Sequence, residues 1–227
     1  MLGKFWHIIA KWAVDKLPEK PQSMAVPKPE VKYIPLDKGQ YREEKTAKTH
    51  IILHHTAGGS AAGAIAGWNA TPERVATAYL IEKDGTIYEV YNPEFWANHL
   101  GKGVPTSLEK ASIGIEIVNY GQLTAKTNGD LLTYTGRKIA PEKAVKCDFR
   151  GFQYYEAYTP EQIAALSRLL PYLMDKFSIK PQADRKNFWE YRDPKTLPSG
   201  IWSHTTVRKD KVDIFPQKEI VDLVYGL

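Results

Sequence analysis

Residues 49–55 read Thr-His-Ile-Ile-Leu-His-His, and this stretch decides the fold that the sequence predicts. A short run of large, partly β-branched apolar residues is typical of a buried strand. Side chains alternate between the two faces of a strand, so His50 and His54 share one side and His55 points to the other. A histidine that ends a buried strand can be a hydrogen-bonded core residue or a metal ligand, and the stretch alone leaves both open.

A second strand is predicted at residues 112–118, which read Ser-Ile-Gly-Ile-Glu-Ile-Val. It is apolar except at Glu116. A carboxylate inside an apolar strand must be paired, bound to a metal or protonated, because burying an unpaired charge is costly. Such carboxylates cluster at functional sites, although structural ion pairs also explain many of them.

The remaining pattern mixes strands with helices. Two strand-like runs, 75–82 and 86–91, are joined around Asp84-Gly85, a strong hairpin signal. Thr159-Pro160-Glu161-Gln162 is a capping box with proline at the first helical position, and it opens a long amphipathic helix. A shorter helix is predicted at 217–225. The sequence therefore predicts one α/β domain with a central mixed β-sheet flanked by helices.

The chain divides into three predicted regions. Residues 1–17 carry apolar side chains at helical spacing and predict an amphipathic helix, too short and too charged to span a membrane and without a signal-peptide cleavage site. This helix either docks on the main domain or contacts a membrane or cell wall. Residues 18–35 are a proline-rich linker. Residues 36–227 form the main domain, with an insertion at about 121–152.

Composition limits the chemistry. The 227 residues are 43% hydrophobic and 25% charged, as in ordinary soluble proteins, and the net charge of +5 favours a polyanionic partner. No block of Lys or Arg exceeds two residues, and no nucleic-acid-binding module is visible, so we expect no nucleic acid. Cys147 is the single cysteine, which excludes an intrachain disulfide and a zinc site built from cysteine pairs. Any metal must be held by histidine and carboxylate. We expect a monomer.

Several motifs occur in an order that resembles a known family. They are Ile52-Leu53-His54-His55-Thr56-Ala57-Gly58, Trp96-Ala97-Asn98-His99-Leu100-Gly101, Ser112-Ile113-Gly114-Ile115-Glu116, Ser203-His204 and Lys211-Val212-Asp213. In this order they resemble the landmarks of the type-2 N-acetylmuramoyl-L-alanine amidases, which include phage lysozyme-type amidases and peptidoglycan recognition proteins. The similarity spans about residues 48 to 225 and implies the fold of that family.

The resemblance also implies a zinc site and a mechanism. It makes His54, His204 and Asp213 the ligands of one zinc ion, with a fourth position left for water. Glu116 matches the general base, and Lys211 matches the cation that stabilises the oxyanion. The loop between the last two ligands is one residue shorter than in some relatives, so Asp210 stays open as an alternative ligand.

The implied substrate is peptidoglycan or a soluble muropeptide. Its groove needs aromatic and polar side chains, and the candidates are Trp68, Trp96, His99, Tyr154 and Tyr155. Some relatives carry a catalytic tyrosine or a histidine in the hairpin strand, where this chain has Thr77 and Ala78. Both departures place more weight on Glu116.

The sequence leaves three biological settings open. The absence of a signal peptide and of disulfides suits a phage endolysin that is made in the cytoplasm and acts on the cell wall after release. A cytoplasmic amidase that recycles muropeptides is one alternative. A recognition protein that binds peptidoglycan without cutting it is the other, although non-cutting relatives lack one or more zinc ligands.

Overall fold

The structure is a computed structural model that describes residues 25–181 and 187–227. The predicted helix at 1–17 and the first part of the linker lie outside the described residues. The strands are β1 Lys32–Tyr33, β2 His50–His55, β3 Tyr79–Ile81, β4 Ile87–Glu89, β5 Ser112–Ile117, β6 Gln122–Ala125, β7 Leu131–Leu132, β8 Lys138–Ile139, β9 Ala144–Phe149, β10 Phe152–Glu156 and β11 Gly200–Ser203. The helices are α1 Ala61–Asn69, α2 Thr106–Ala111, α3 Pro160–Phe177, α4 His204–Val207 and α5 Lys218–Gly226, with a 3-10 turn at Pro141–Lys143.

The main sheet has six strands in the order β1-β4-β3-β5-β2-β11. Strand β2 lies between β5 and β11 and is parallel to both, whereas β3 and β4 form the predicted antiparallel hairpin. The predicted mixed sheet is therefore confirmed. In this register His54 lies beside Glu116, and Leu53 lies beside Ser203. Because these three strands are parallel, the side chains at their carboxyl ends meet at one edge of the sheet.

The long helix α3 covers one face of the main sheet. It begins with the predicted capping box, in which Thr159 and Gln162 satisfy each other's backbone groups. Gln162 also donates through Nε2 to the carbonyl of Val118, 2.8 Å away, which ties the helix to the end of β5. The buried face of the helix, including Leu166 and Leu173, joins the core that covers β2 and β5.

A second, smaller sheet has five antiparallel strands in the order β8-β7-β6-β10-β9. It is formed by residues 122–156, where the sequence predicts an insertion. Part of this sheet has its own small apolar cluster of Leu123, Leu131 and Ile139. Tyr155 instead enters the main core, where its ring stacks on Phe215 at 4.3 Å between ring centres. The small sheet is thus attached to the main sheet by shared packing.

Residues 32–33, at the end of the segment predicted as linker, add an edge strand to the main sheet by pairing in parallel with β4. Within the described residues, no helix is both long enough and apolar enough to cross a membrane.

Candidate metal centre and catalytic cleft

Three side chains converge at the carboxyl edge of the main sheet. The Nδ1 atoms of His54 and His204 lie 3.0 Å apart, and Asp213 Oδ2 lies 2.8 Å from His204 Nδ1 and 3.3 Å from His54 Nδ1. All three residues are buried, and their ligand atoms lie within 4.8 Å of one another. The predicted ligand set therefore comes together from positions far apart in the chain.

The chemistry of this group fits zinc. Burial, together with the neighbouring His204, lowers the pKa of His54 to about 4, so its imidazole is neutral near pH 7. Burial opposes ionisation of Asp213, but the imidazoles of His204 and His54 outweigh it and hold the pKa well below its ordinary value. Two neutral imidazoles and one carboxylate are the protein ligands typical of a catalytic zinc site. His54 and Asp213 are in the protonation states that bind a metal.

The loop that carries the last two ligands is closed by backbone and hydroxyl hydrogen bonds. The amide of Thr205 donates to the carbonyl of Asp213 at 3.0 Å, and the amide of Ile214 donates to Ser203 Oγ at 3.2 Å. These contacts hold the ends of the loop together and place Asp213 beside His204. Asp210, the alternative ligand, instead forms a two-pronged ion pair with Arg208, at 2.6 and 2.7 Å.

Glu116 lies on β5 directly beside His54. Its side chain reaches the same cleft, and its buried Oε2 has no hydrogen-bond partner among the described residues. Burial, and next the charge of Asp213, raises the pKa of Glu116 well above its ordinary value, while Lys211 acts in the opposite direction. An unpartnered carboxylate beside a metal-ligand group is suited to moving a proton.

The cleft has a volume of about 530 Å³ and is open to solvent. Lys211 and Asp213 both line it, as do their neighbours Asp210 and Val212. Its lining residues are His54, His55, Thr56, Ala57, Val75, His99, Glu116, Gln122, Phe152, His204, Asp210, Lys211, Val212 and Asp213. Gln122 and Phe152 come from the small sheet. The sequence does not predict them as cleft residues, because nothing in their local pattern shows that the small sheet will lie beside the cleft.

The tryptophan and tyrosine residues predicted for the groove do not line this cleft, whereas His99 does. Trp96 is buried, donates to Glu44 through its indole nitrogen and stacks under Arg42. Trp68 packs partly against the main core from α1. Tyr154 packs against the cluster of the small sheet.

The predicted substrate contact Tyr155 is a core residue. Its side chain is fully buried, and its hydroxyl donates to the carbonyl of Phe149 at 2.7 Å. Its burial next to Phe215 corrects the groove assignment, because a fully buried ring cannot reach a ligand in the cleft. Aromatic composition alone could not separate core from groove.

Two neighbours of the ligands take structural positions. The hydroxyl of Thr77, at the site of the hairpin tyrosine of some relatives, donates to the carbonyl of Tyr79 and is buried. His55 also lines the cleft, and its Nδ1 lies 3.2 Å from the hydroxyl of Tyr158.

Comparisons with known proteins place this geometry in context. The sequence profile of a family described as N-acetylmuramoyl-L-alanine amidase matches residues 44–217. A comparison with curated protein sequences gives no significant match.

Solved structures share the fold at low sequence identity. The endolysin N-acetylmuramoyl-L-alanine amidase LysCS from Clostridium intestinale is 16% identical, with a TM-score of 0.50 over 89% of this chain and 99% of that one. A mutant endolysin from Bacillus subtilis is 16% identical, with a TM-score of 0.50 over 88% and 99%. The catalytic domain of XlyA gives the same identity and TM-score over 87% and 99%.

Proposed function

Because this chain belongs to the N-acetylmuramoyl-L-alanine amidase family, we propose that it is a zinc-dependent hydrolase of peptidoglycan. The bond cleaved is the amide between N-acetylmuramic acid and L-alanine. The observation that carries the proposal is the convergence of His54, His204 and Asp213 beside the unpartnered carboxylate of Glu116 in one open cleft.

His54, His204 and Asp213 would hold the zinc ion. When bound, zinc supplies a Lewis acid that polarises a carbonyl and lowers the pKa of water from 15.7 to about 7. Glu116 takes the proton from the attacking water and passes it to the leaving amine, a role that suits a carboxylate whose pKa is raised. Lys211 faces the same cleft and stabilises the negative charge that develops on the carbonyl oxygen.

The biological setting we propose is that of a phage endolysin acting on the cell wall. The complete set of ligands supports a cutting enzyme over a recognition protein, since a protein that only binds needs no catalytic metal. A muropeptide-recycling amidase has the same chemistry and differs in the size of its substrate.

Hydrolysis of purified peptidoglycan tests the chemistry. We expect new L-alanine amino termini in the presence of zinc, none after a chelator, and recovery when zinc is restored. Glu116→Gln should keep zinc binding and lose turnover, whereas the control Glu142→Gln, at an exposed carboxylate of the 3-10 turn between β8 and β9, should cut normally. Release of a different terminus, or turnover unaffected by Glu116→Gln, would contradict the proposal.

The setting is tested by substrate size. An endolysin should degrade intact sacculi as well as soluble muropeptides. Activity confined to the soluble fragments would favour the recycling role.

A further inference from the structure

The two predicted ligand histidines are hydrogen-bonded to neighbouring residues of one segment: His54 to His99, and His204 to Leu100. His54 Nε2 lies 2.9 Å from His99 Nδ1, and His204 Nε2 lies 3.1 Å from the carbonyl oxygen of Leu100. In each ring the hydrogen bond to this segment involves Nε2, whereas Nδ1 faces Asp213. A neutral imidazole carries one ring proton, so the nitrogen that donates leaves the other with a free lone pair.

For His204 the assignment follows from one contact. A carbonyl oxygen only accepts, so the proton of His204 lies on Nε2 and is donated to Leu100. Its Nδ1 is left with a lone pair directed toward Asp213.

For His54 the assignment follows from a chain of three contacts. Ser112 Oγ lies 2.7 Å from the carbonyl of Leu108, which can only accept, so the hydroxyl hydrogen is directed there. Ser112 Oγ therefore accepts from His99 Nε2, 2.8 Å away. His99 Nδ1 is then the acceptor for His54 Nε2–H, and His54 Nδ1 keeps the lone pair that faces the ligand group.

The segment that makes these contacts is itself firmly held. One carboxylate, that of Glu109, accepts hydrogen bonds from the backbone amides of His99, Leu100 and Gly101, at 2.9 to 3.2 Å. A Cβ at Gly114 on β5 would lie 2.6 Å from Thr77 Cγ2 and 3.0 Å from His99 Nδ1, so this glycine leaves room for both side chains. Close packing around this position therefore explains why the Ser-Ile-Gly-Ile-Glu motif has a glycine there.

We propose that His99 is a positioning residue that fixes the tautomer of His54, with Ser112 behind it, so that Nδ1 is presented to the metal. This inference rests on the zinc site of the proposed function and replaces the role of substrate contact that the sequence suggests for His99. The side chain of His99 is only 2% exposed, and both of its ring nitrogens are engaged inside the protein. Loss of a partner behind a metal ligand typically costs 10–100-fold in metal affinity.

Zinc affinity, measured by competition with a chromophoric chelator, tests the proposal. His99→Phe keeps a ring but no acceptor, so we expect zinc binding to weaken about 10–100-fold. His99→Gln offers an amide oxygen to His54 and an amide NH to Ser112, and should recover most of the affinity. The control is His50→Gln, because His50 is a buried histidine of the same strand whose nitrogens contact Thr49 and Leu197 instead. It should leave zinc affinity unchanged.

Nuclear magnetic resonance of the ring nitrogens reads the tautomer directly. We expect the proton of His54 on Nε2 in the wild-type protein, with and without zinc, and a mixture of tautomers in metal-free His99→Phe. If His99→Phe does not fold, Ser112→Ala keeps the His99 ring while removing its acceptor, and should weaken zinc binding in the same direction.

The proposal would be overturned by zinc affinity that is unchanged in both His99→Phe and Ser112→Ala, or by a wild-type His54 protonated on Nδ1. A protein that binds no zinc would overturn it as well. A protein that shows the expected ranking of zinc affinities and cuts no peptidoglycan would instead contradict the proposed function, so the two failures are distinguishable.

Discussion

The two sheets of this molecule contribute to the cleft in different ways. The main sheet supplies His54 and Glu116 from neighbouring parallel strands, and His204 directly follows a third. All six residues of β2 are buried. The small sheet supplies no predicted ligand or base, its strands are largely half-exposed, and it reaches the cleft through Gln122 and Phe152.

The comparison teaches that the candidate metal ligands lie on a rigid support, whereas the wall of the cleft is built partly on a less buried sheet. Side chains that must converge to within a few ångström are placed by elements packed on both faces. The small sheet nevertheless touches the loop between His204 and Asp213, because Arg150 at the turn between β9 and β10 donates to the carbonyls of Thr205 and Lys209, at 3.1 and 3.0 Å. Arg150 also donates to the carbonyl of Trp189 at 3.3 Å.

The largest expected difference between the sheets is in stability. Ile115→Ala removes a fully buried side chain of β5, and we expect it to lower the free energy of unfolding by about 4 kcal/mol. Leu131→Ala lies in the three-residue cluster of the small sheet and should cost about 2 kcal/mol, because a small cluster relaxes more easily. Urea denaturation measures both. Equal losses would show that the small sheet is packed as tightly as the main one.

A buried lysine next to the main sheet predicts a pH dependence that the small sheet should lack. Burial lowers the pKa of Lys48 from 10.5 to about 8. The unfolded chain therefore binds more protons between these values, and stability should rise as pH increases from about 8 to 10.5, by up to about 3 kcal/mol.

This rise should be absent in Lys48→Met and present in the control Lys138→Met, whose lysine is exposed on the small sheet. Unfolding by urea across this pH range measures it. Parallel curves for wild type and Lys48→Met would contradict the prediction.

The smallest expected effect concerns the contact between the small sheet and the loop that joins His204 to Asp213. Arg150→Ala removes two hydrogen bonds to the loop that carries Lys211 and Asp213, and one to Trp189. We expect kcat/KM to fall about tenfold, or about 1.4 kcal/mol. Arg137→Ala is the matched control, since that arginine is exposed on the same sheet and contacts Tyr120 instead. An unchanged kcat/KM for Arg150→Ala would mean that the small sheet forms part of the cleft wall but does not help to position the loop.

Much of the fold and of the site could be predicted from local sequence. The buried runs at β2 and β5, the hairpin signal at Asp84-Gly85 and the capping box at Thr159 each depend on neighbouring residues, and each is confirmed. The resemblance is confirmed by the family match over residues 44–217. The ligand trio was predicted because motif order fixed which histidine and which aspartate to choose.

The groove residues could not be predicted in the same way. Tyr155 and Trp96 are aromatic residues near the motifs. The ring of Tyr155 packs on Phe215 in the core, and the indole of Trp96 donates to Glu44. Whether an aromatic side chain lines a cleft depends on the orientation of its strand relative to the rest of the fold, which composition does not record.

By itself, the sequence determined the strands, the long helix and the identity of the residues that could bind a metal, because strand periodicity, capping and ligand chemistry are local properties. Only the tertiary structure decided the details that depend on contacts between distant segments. It placed His54 within 3.0 Å of His204, which lies 150 positions away in the chain. It also placed His99 where its ring hydrogen-bonds to Ser112, and Arg150 where it donates to the loop between His204 and Asp213. The physical reason is that hydrogen bonds and ligand groups act over about 3 Å, a distance set by how the elements pack together.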